Sequence, residues 1–315
     1  MKKILLALSL ALLVFSANAQ SFKEVVIITS FPVGSGPDSL LREIQPDLQR
    51  IYNTTVIVDN KPGGNGAVAF DACNRAAEQQ KTVLCYTEAA VFWGIPKVFG
   101  NDNVIKNLKF FAVSHFAPLV LVTSENVTNR QQLIEHIRRH PNFGSWAVGS
   151  VGQITGQELS NYLKLDTQHV AYKDYGQWLM DVANGNLGFS FPTIGSATPL
   201  YRGNKIKFIA VATKHRDPVF SDVPTMEEYF PGLKNFVPLG AYGAFYINKD
   251  TPSATERTLL TGMQQALTNP NLKSSLIIRG YRPWTKDDAE TRKILAAEQA
   301  HYYQALKDFN INLRQ

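Results

Sequence analysis

Strand-like and helix-like segments alternate along this 315-residue chain, and the alternation limits its fold more than any other sequence feature. Short apolar runs at residues 25–28, 55–58 and 82–86 are typical of buried strands. Between them, apolar residues recur at helical spacing over residues 40–48, and an Ala-rich stretch covers residues 67–79. This order of elements predicts a parallel sheet covered by helices.

The alternation is repeated in the middle of the chain, which predicts a second α/β lobe. No Pro/Ser-rich linker separates the two runs, so the boundaries are expected at strand crossovers near residues 122–124 and 237–240. The C-terminal segment would return to the first lobe. We therefore expect residues 20–123 and 240–315 to form lobe 1 and residues 124–239 to form lobe 2.

The N-terminal residues 1–19 have the pattern of a secretory signal peptide. Lys2 and Lys3 precede an apolar run at residues 4–15, and Ala17-Asn18-Ala19 forms a cleavage site. The apolar run is shorter than the roughly 20 residues that span a bilayer. These features predict cleavage near Ala19 and a mature protein that works in the periplasm.

The 32 Lys and Arg residues only slightly outnumber the 26 Asp and Glu residues and are scattered, which gives nucleic-acid binding little support.

Two cysteines, Cys73 and Cys85, are the only ones in the chain. In an exported protein an even number of cysteines permits a disulfide. Cys73 is predicted in a helix and Cys85 on the following strand, and the two elements could pack together. Two separate small buried side chains are the alternative. Neither cysteine has the spacing of a metal site.

Two glycine-rich loops that follow strands are candidates for holding an anion. Residues 31–39 precede the first predicted helix, and residues 149–155 precede a helix predicted at residues 156–164. Free N–H groups and the helix dipole make a helix N-terminus an anion site, and ligands of α/β sheets bind at this strand-to-helix edge. Facing each other, the two loops would clamp an acidic ligand. Either loop alone is also a common structural turn.

Asp38 at the end of the first loop has two readings. Its charge stabilises the first turn of a helix, but a carboxylate beside an anion site repels an acidic ligand. If Asp38 faces the cleft, it would orient water or meet a ligand ammonium group.

Several motifs, in an order that covers nearly the whole mature chain, resemble the Bug (TctC-like) family of periplasmic solute-binding proteins. Residues 31–38 match a Pro- and Gly-rich segment that ends in Asp, and residues 58–66, Val-Asp-Asn-Lys-Pro-Gly-Gly-Asn-Gly, are the strongest match. Ser150-Val-Gly152, residues 170–174 and Asp222-Val-Pro-Thr225 match further family segments. Such proteins serve tripartite tricarboxylate transporters.

The resemblance implies a two-lobed α/β fold of the periplasmic-binding-protein class (Venus flytrap, type II), with each lobe a mixed sheet flanked by helices. It implies a monomer that closes on a small organic acid or amino acid, uses no cofactor and delivers its ligand to an integral-membrane permease. One ligand carboxylate would be held by the two glycine-rich loops. The matching positions are Val33, Gly34, Ser35 and Asp38 in the first loop and Ser150, Val151, Gly152 and Gln153 in the second.

Less regular positions would recognise the rest of the ligand, and each of them could equally be structural. The candidates are Thr87, Glu88, Phe191, Pro192, Thr193 and Tyr242. Aromatic residues are plentiful around the predicted cleft, which slightly favours an aromatic or apolar-bodied acid over citrate.

Two other classes of function are compatible with the sequence. One is an extracytoplasmic sensor that signals through a membrane receptor, which would share the same binding site. The other is an exported hydrolase, but Val148 stands where a Gly-x-Ser-x-Gly elbow around Ser150 needs its first glycine. We therefore expect a binding protein without catalytic activity.

Overall fold

A computed structural model of the protein describes residues 22–100, 102–172, 174–233 and 239–313, and the predicted signal peptide lies outside these ranges. The fold has two lobes, each built on one mixed sheet. No helix within the described ranges is both long and apolar enough to cross a lipid bilayer.

The first sheet has six strands: β1 (Val25–Thr29), β2 (Val56–Asn60), β3 (Thr82–Glu88), β4 (Leu108–Ala117), β10 (Ala241–Asn248) and β11 (Arg282–Pro283). Their order across the sheet is β11-β4-β10-β3-β1-β2. Strands β1, β2 and β3 are parallel, whereas β10, β4 and β11 add antiparallel neighbours. The helices that cover it are α1 (Gly36–Tyr52), α2 (Ala67–Glu78), α3 (Ala89–Phe99), α9 (Ser253–Leu267), α10 (Pro270–Ile278) and α11 (Asp288–Asp308).

The second sheet has five strands: β5 (Val120–Ser124), β6 (Asn142–Ser145), β7 (Gln168–Ala171), β8 (Phe189–Ser190) and β9 (Ile206–Val211). Their order across the sheet is β7-β6-β8-β5-β9. Strands β6, β7 and β8 run parallel, and β5 pairs antiparallel with β8 and β9. The helices around it are α4 (Arg130–Arg139), α5 (Val151–Leu163), α6 (Tyr175–Ala183), α7 (Ile194–Arg202) and α8 (Met226–Tyr229).

The chain leaves the first sheet earlier than the predicted boundary after residue 123. Strand β5 pairs with strands of the second sheet, so the crossing lies between Ala117 and Val120. The sequence could not show this, because an apolar strand reads the same in either sheet. The chain returns to the first sheet between the end of β9 at Val211 and the start of β10 at Ala241. The crossing predicted near residues 237–240 lies within this interval.

Apolar clusters fill both faces of the first sheet. On one face, Ile27 packs with Leu41 of α1 and Met263 of α9. On the other face, a larger cluster includes Phe70 of α2 and Tyr302 of α11 and continues into the second lobe. Burial of this apolar surface is the main favourable term holding the elements together.

Cys73 of α2 and Cys85 of β3 form a disulfide, with a Cα–Cα distance of 6.1 Å. The bond attaches α2 to the centre of the first sheet. Of the two alternatives that the sequence left open, the structure therefore shows the bridge.

Several predicted elements differ from those observed. Helices α3, α6, α7, α8 and α10 and strands β4, β10 and β11 were not predicted. Helix α5 begins at Val151 rather than at residue 156, with Ser150 as its N-cap. Residues 151–155 therefore belong to the helix and not to the loop, because the Ser150 side chain caps the helix before Val151.

Candidate functional site

The first loop connects β1 to α1 and is held in shape by its own side chains. Gly34 has a φ of +80°, a left-handed conformation that side chains other than glycine rarely adopt. Ser35 is the N-cap of α1: its Oγ accepts a hydrogen bond from the Asp38 N–H (3.3 Å) and donates one to the Pro32 carbonyl (2.8 Å). Val33 projects into solvent, with 71% of its surface exposed.

Asp38 anchors this loop through the hydrogen bonds of its side chain. It is buried, and Oδ2 accepts hydrogen bonds from the Gly34 N–H (2.8 Å) and Arg42 Nε (3.1 Å). Oδ1 accepts from Asn60 Nδ2 (2.8 Å). Burial would raise the pKa of Asp38, but these hydrogen bonds and the Arg42 charge together hold that pKa below its usual value. These contacts support the structural reading of Asp38, and a contact between Asp38 and a ligand stays a prediction.

The second loop connects β6 to α5 and repeats the same arrangement. Gly149 has a φ of +78°, and Ser150 Oγ caps α5 by accepting from the Gln153 N–H (3.2 Å). Gln153 Oε1 accepts from the Gly149 N–H (2.6 Å), as Asp38 does from Gly34. Gln153, however, brings no charge. The α5 N-terminus therefore keeps its full positive dipole.

The N–H groups of Val151 and Gly152 are the donors that remain at the second loop. As the first two helical residues they have no intrahelical acceptor, and no other acceptor for them occurs among the described residues. At the first loop, the corresponding positions are Gly36 and Pro37, and proline has no N–H. The α5 N-terminus can therefore hold a carboxylate with two donors, and the α1 N-terminus with one.

A buried hydrogen-bond chain fixes the orientation of Ser150. Ser150 Oγ donates to Ser145 Oγ (2.7 Å), and Ser145 Oγ donates to the Ala147 carbonyl (2.9 Å). The Ser145 hydroxyl has one proton, which it donates to Ala147. In its 2.7 Å contact with His169 Nε2, the histidine must therefore be the donor. Burial lowers the pKa of His169 to about 4, so its ring is neutral. Ser145 is fully buried, which suits it to positioning Ser150 and not to attacking a substrate.

At the carboxyl edge of the first sheet, Thr87 and Glu88 end β3 beside the first loop. Thr87 Oγ1 is hydrogen-bonded to Ser30 Oγ (2.7 Å). Glu88 is 7% exposed, and its Oε1 is buried without a hydrogen-bond partner among the described residues. Burial raises the pKa of Glu88 to about 8.

The two lobes touch near the second loop. Tyr302 of α11 donates a hydrogen bond to the Gly149 carbonyl (3.0 Å), and the Leu313 side chain lies against Gly149 and Gly94. The space left between α3 and the second loop is about 20 Å³, which holds roughly one water molecule. Two further contacts join the lobes, a His301–Glu158 pair at 3.2 Å and an ion pair between Arg282 and Asp217.

The remaining predicted positions serve the framework. The Phe191 ring is buried against Phe189, and the Tyr242 hydroxyl donates to Glu298 Oε1 (2.7 Å) on α11. The Pro192 carbonyl accepts from the Val120 N–H (2.9 Å), and Thr193 is the N-cap of α7. Pro192 and Thr193 thus lie where the chain crosses between lobes, whereas Phe191 and Tyr242 have their side chains committed elsewhere.

Three residues near the cleft were not among the sequence candidates. Tyr175 begins α6 and is 39% exposed. Trp146 lines the space beside the second loop, and Tyr281 lies against Gly36. Trp146 and Tyr175 come after strands β6 and β7, whereas Tyr281 comes after helix α10, so no common sequence pattern marks the three residues. Within the described ranges, no group of His, Cys, Asp or Glu side chains is arranged to hold a metal ion.

Comparison with known proteins identifies the family. The family model described as "Tripartite tricarboxylate transporter family receptor" matches residues 40–311. A relative from Bordetella pertussis, described as a UPF0065 protein, is 25% identical over 288 residues, which cover 89% of this chain and 88% of the relative.

Two solved structures from Rhodopseudomonas palustris share the fold. MatC with bound malate has a TM-score of 0.76 at 20% identity, covering 90% of this chain and 99% of MatC. Rpa4515 with adipate has a TM-score of 0.76 at 21% identity, covering 92% of this chain and 98% of Rpa4515. These matches confirm the predicted two-lobed fold and the resemblance to Bug (TctC-like) proteins. This chain therefore belongs to the tripartite tricarboxylate transporter family receptors, a family of periplasmic solute-binding proteins.

Proposed function

We propose that this protein captures a small carboxylate-bearing solute between its lobes and delivers it to a membrane permease. The observation that carries the proposal is the uncharged N-terminus of α5, where the N–H groups of Val151 and Gly152 are free to donate. Helix N-termini of this kind bind carboxylates through their N–H groups and dipole. The malate and adipate bound by MatC and Rpa4515 support a carboxylate ligand.

The proposed mechanism is closure of the lobes on the ligand. A solute held by both lobes makes its full set of contacts only in the closed form, so binding shifts the population towards that form. The Pro118–Leu119 crossing is short and sits beside Pro192 and Thr193, which suits it to act as a hinge. The permease would then recognise the closed form.

The proposal is tested by calorimetric titration of the mature protein with malate and adipate, each beside its neutral diamide. We expect an acid to bind and its diamide to bind much more weakly, because the helix dipole attracts only the anion. Equal affinity for an acid and its diamide would contradict the proposal.

A charge placed at the second loop tests the site itself. Gln153→Glu keeps an acceptor for the Gly149 N–H but adds a negative charge beside the proposed carboxylate. Two charges about 6 Å apart at an effective dielectric constant near 20 repel by about 3 kcal/mol. We therefore expect affinity for acids to fall at least about 10-fold. The matched control is Gln157→Glu, one turn further along α5, where the side chain bonds to Asn161 and affinity should hardly change.

A further inference from the structure

We propose that Glu88 binds an amino group of the solute, so that the ligand is an amine-bearing acid of the amino-acid class and not a simple dicarboxylate. This inference rests on the proposed function, because it assigns the second half of the same ligand. Glu88 is distinct from the α5 N-terminus, so an experiment can contradict the role of Glu88 without contradicting the proposed carboxylate site.

Glu88 is a buried acid without a partner among the described residues. Its residue surface is 7% exposed, and its Oε1 is covered and makes no hydrogen bond within that part of the chain. It occupies the N-cap position of α3, yet its side chain does not cap that helix. Asp38, by comparison, has both oxygens satisfied. A buried carboxyl oxygen without a donor costs free energy, which a bound donor would recover.

Glu88 also lies beside the space between the lobes. It directly precedes α3, whose residues Ala90 and Val91 line that space opposite Gly149 and Ser150 of the second loop. Tyr302 lines the same space, and its hydroxyl donates to the Gly149 carbonyl. Glu88 and the α5 N-terminus therefore lie close to the same space.

Within the described ranges, no Lys, Arg or His side chain donates a hydrogen bond to Glu88 Oε1. Burial raises the pKa of this carboxyl group. A ligand ammonium would supply the missing positive charge together with three hydrogen-bond donors. A second ligand carboxylate would instead meet a like charge or require Glu88 to remain protonated.

Paired ligands test this inference directly. L-Aspartate is compared with L-malate, which differs only by a hydroxyl in place of the ammonium, and 5-aminopentanoate is compared with adipate. Calorimetry at pH 7 should show the amine-bearing member of at least one pair binding 10-fold or more tightly than its partner. If L-malate and adipate each bind as tightly as their amine-bearing partners, or more tightly, the inference is overturned.

Glu88→Gln should remove the preference while keeping the affinity for the plain acid within a few fold. Glu135→Gln is the matched control, since Glu135 is exposed on α4 and bonds to Gln131 on the same helix. If Glu88→Gln failed to fold, the ligand preference of the unchanged protein would still decide the question.

The number of protons released or taken up on ligand binding shows whether Glu88 is ionised or protonated in the complex. An ammonium lowers the pKa of Glu88, so binding at pH 7 should release protons, measured by titration in buffers of different ionisation enthalpy. The surrounding tyrosines stay neutral at this pH and cannot supply those protons. If an amine-bearing acid binds without releasing protons, Glu88 keeps its proton and does not pair with the ammonium, which overturns the inference. If no acid of any kind binds, the proposed function itself fails.

Discussion

The first and second loops are built alike but present different chemistry. Both carry the tripeptide Val-Gly-Ser, at residues 33–35 and 148–150, with a left-handed glycine and a serine that caps the following helix. In both, the side chain three residues after the serine accepts a hydrogen bond from the glycine N–H. The difference is that this residue is Asp38 in the first loop and Gln153 in the second.

That single difference decides whether a charge within the loop neutralises the positive end of the helix dipole. The Asp38 charge neutralises the α1 N-terminus from within and fastens an exposed loop to Arg42 and Asn60. Gln153 makes the same backbone contact without charge, so the buried α5 N-terminus remains available to an anion. The comparison teaches that one loop is stabilised by an internal anion and the other is suited to an external one.

The largest effect should come from removing the two accepting side chains. We expect Asp38→Ala to lower the free energy of unfolding by roughly 3 kcal/mol, because it removes a charged acceptor of three hydrogen bonds. Gln153→Ala should cost about 1–2 kcal/mol, since it removes one neutral acceptor. Denaturant unfolding measures both. Equal losses would remove the energetic distinction between the loops.

The stability contributed by Asp38 should depend on pH. The folded protein holds the pKa of Asp38 below its usual 3.8, so the ionised form stabilises the fold. This contribution is complete above the unfolded pKa and is lost as the pH falls through the lower folded pKa. The stability difference between the natural protein and Asp38→Asn should therefore be constant at neutral pH and shrink below about pH 4. For Gln153→Ala the corresponding difference should not change with pH.

The two capping serines should differ by a smaller amount. Ser35→Ala should cost about 1 kcal/mol, the usual effect of removing an N-cap. Ser150→Ala should cost about 2 kcal/mol, because its hydroxyl also donates to the buried Ser145. Thermal or denaturant unfolding of the two variants tests this order, and a greater loss for Ser35→Ala would contradict it.

The smallest effect is expected on ligand affinity from Asp38→Asn. Removing this charge should strengthen carboxylate binding only about two- to threefold, because Arg42 already neutralises Asp38. Calorimetry with malate and adipate provides the measurement. A 10-fold or greater gain would show that Asp38 faces the ligand after all.

Much of the local structure around the candidate site was visible in the sequence. The two glycine-rich loops were placed correctly after their strands, and Ser35 and Ser150 lie at helix starts. The sequence missed that residues 151–155 are helical, because glycine at 152 and a β-branched residue at 151 weaken the helical pattern. It also left the role of Asp38 open, since Arg42 is one turn away on the same helix but Asn60 belongs to another strand.

By itself, the sequence determined the α/β class, the two runs of elements and the family, because hydrophobic periodicity and turn residues are local properties. Only the tertiary structure decided which strands share a sheet, that Cys73 and Cys85 are bonded, and that Glu88 is buried without a partner among the described residues. These are contacts between segments that are separated along the chain. Their energies depend on burial and on the partners that the fold brings together, and no local pattern encodes either of them.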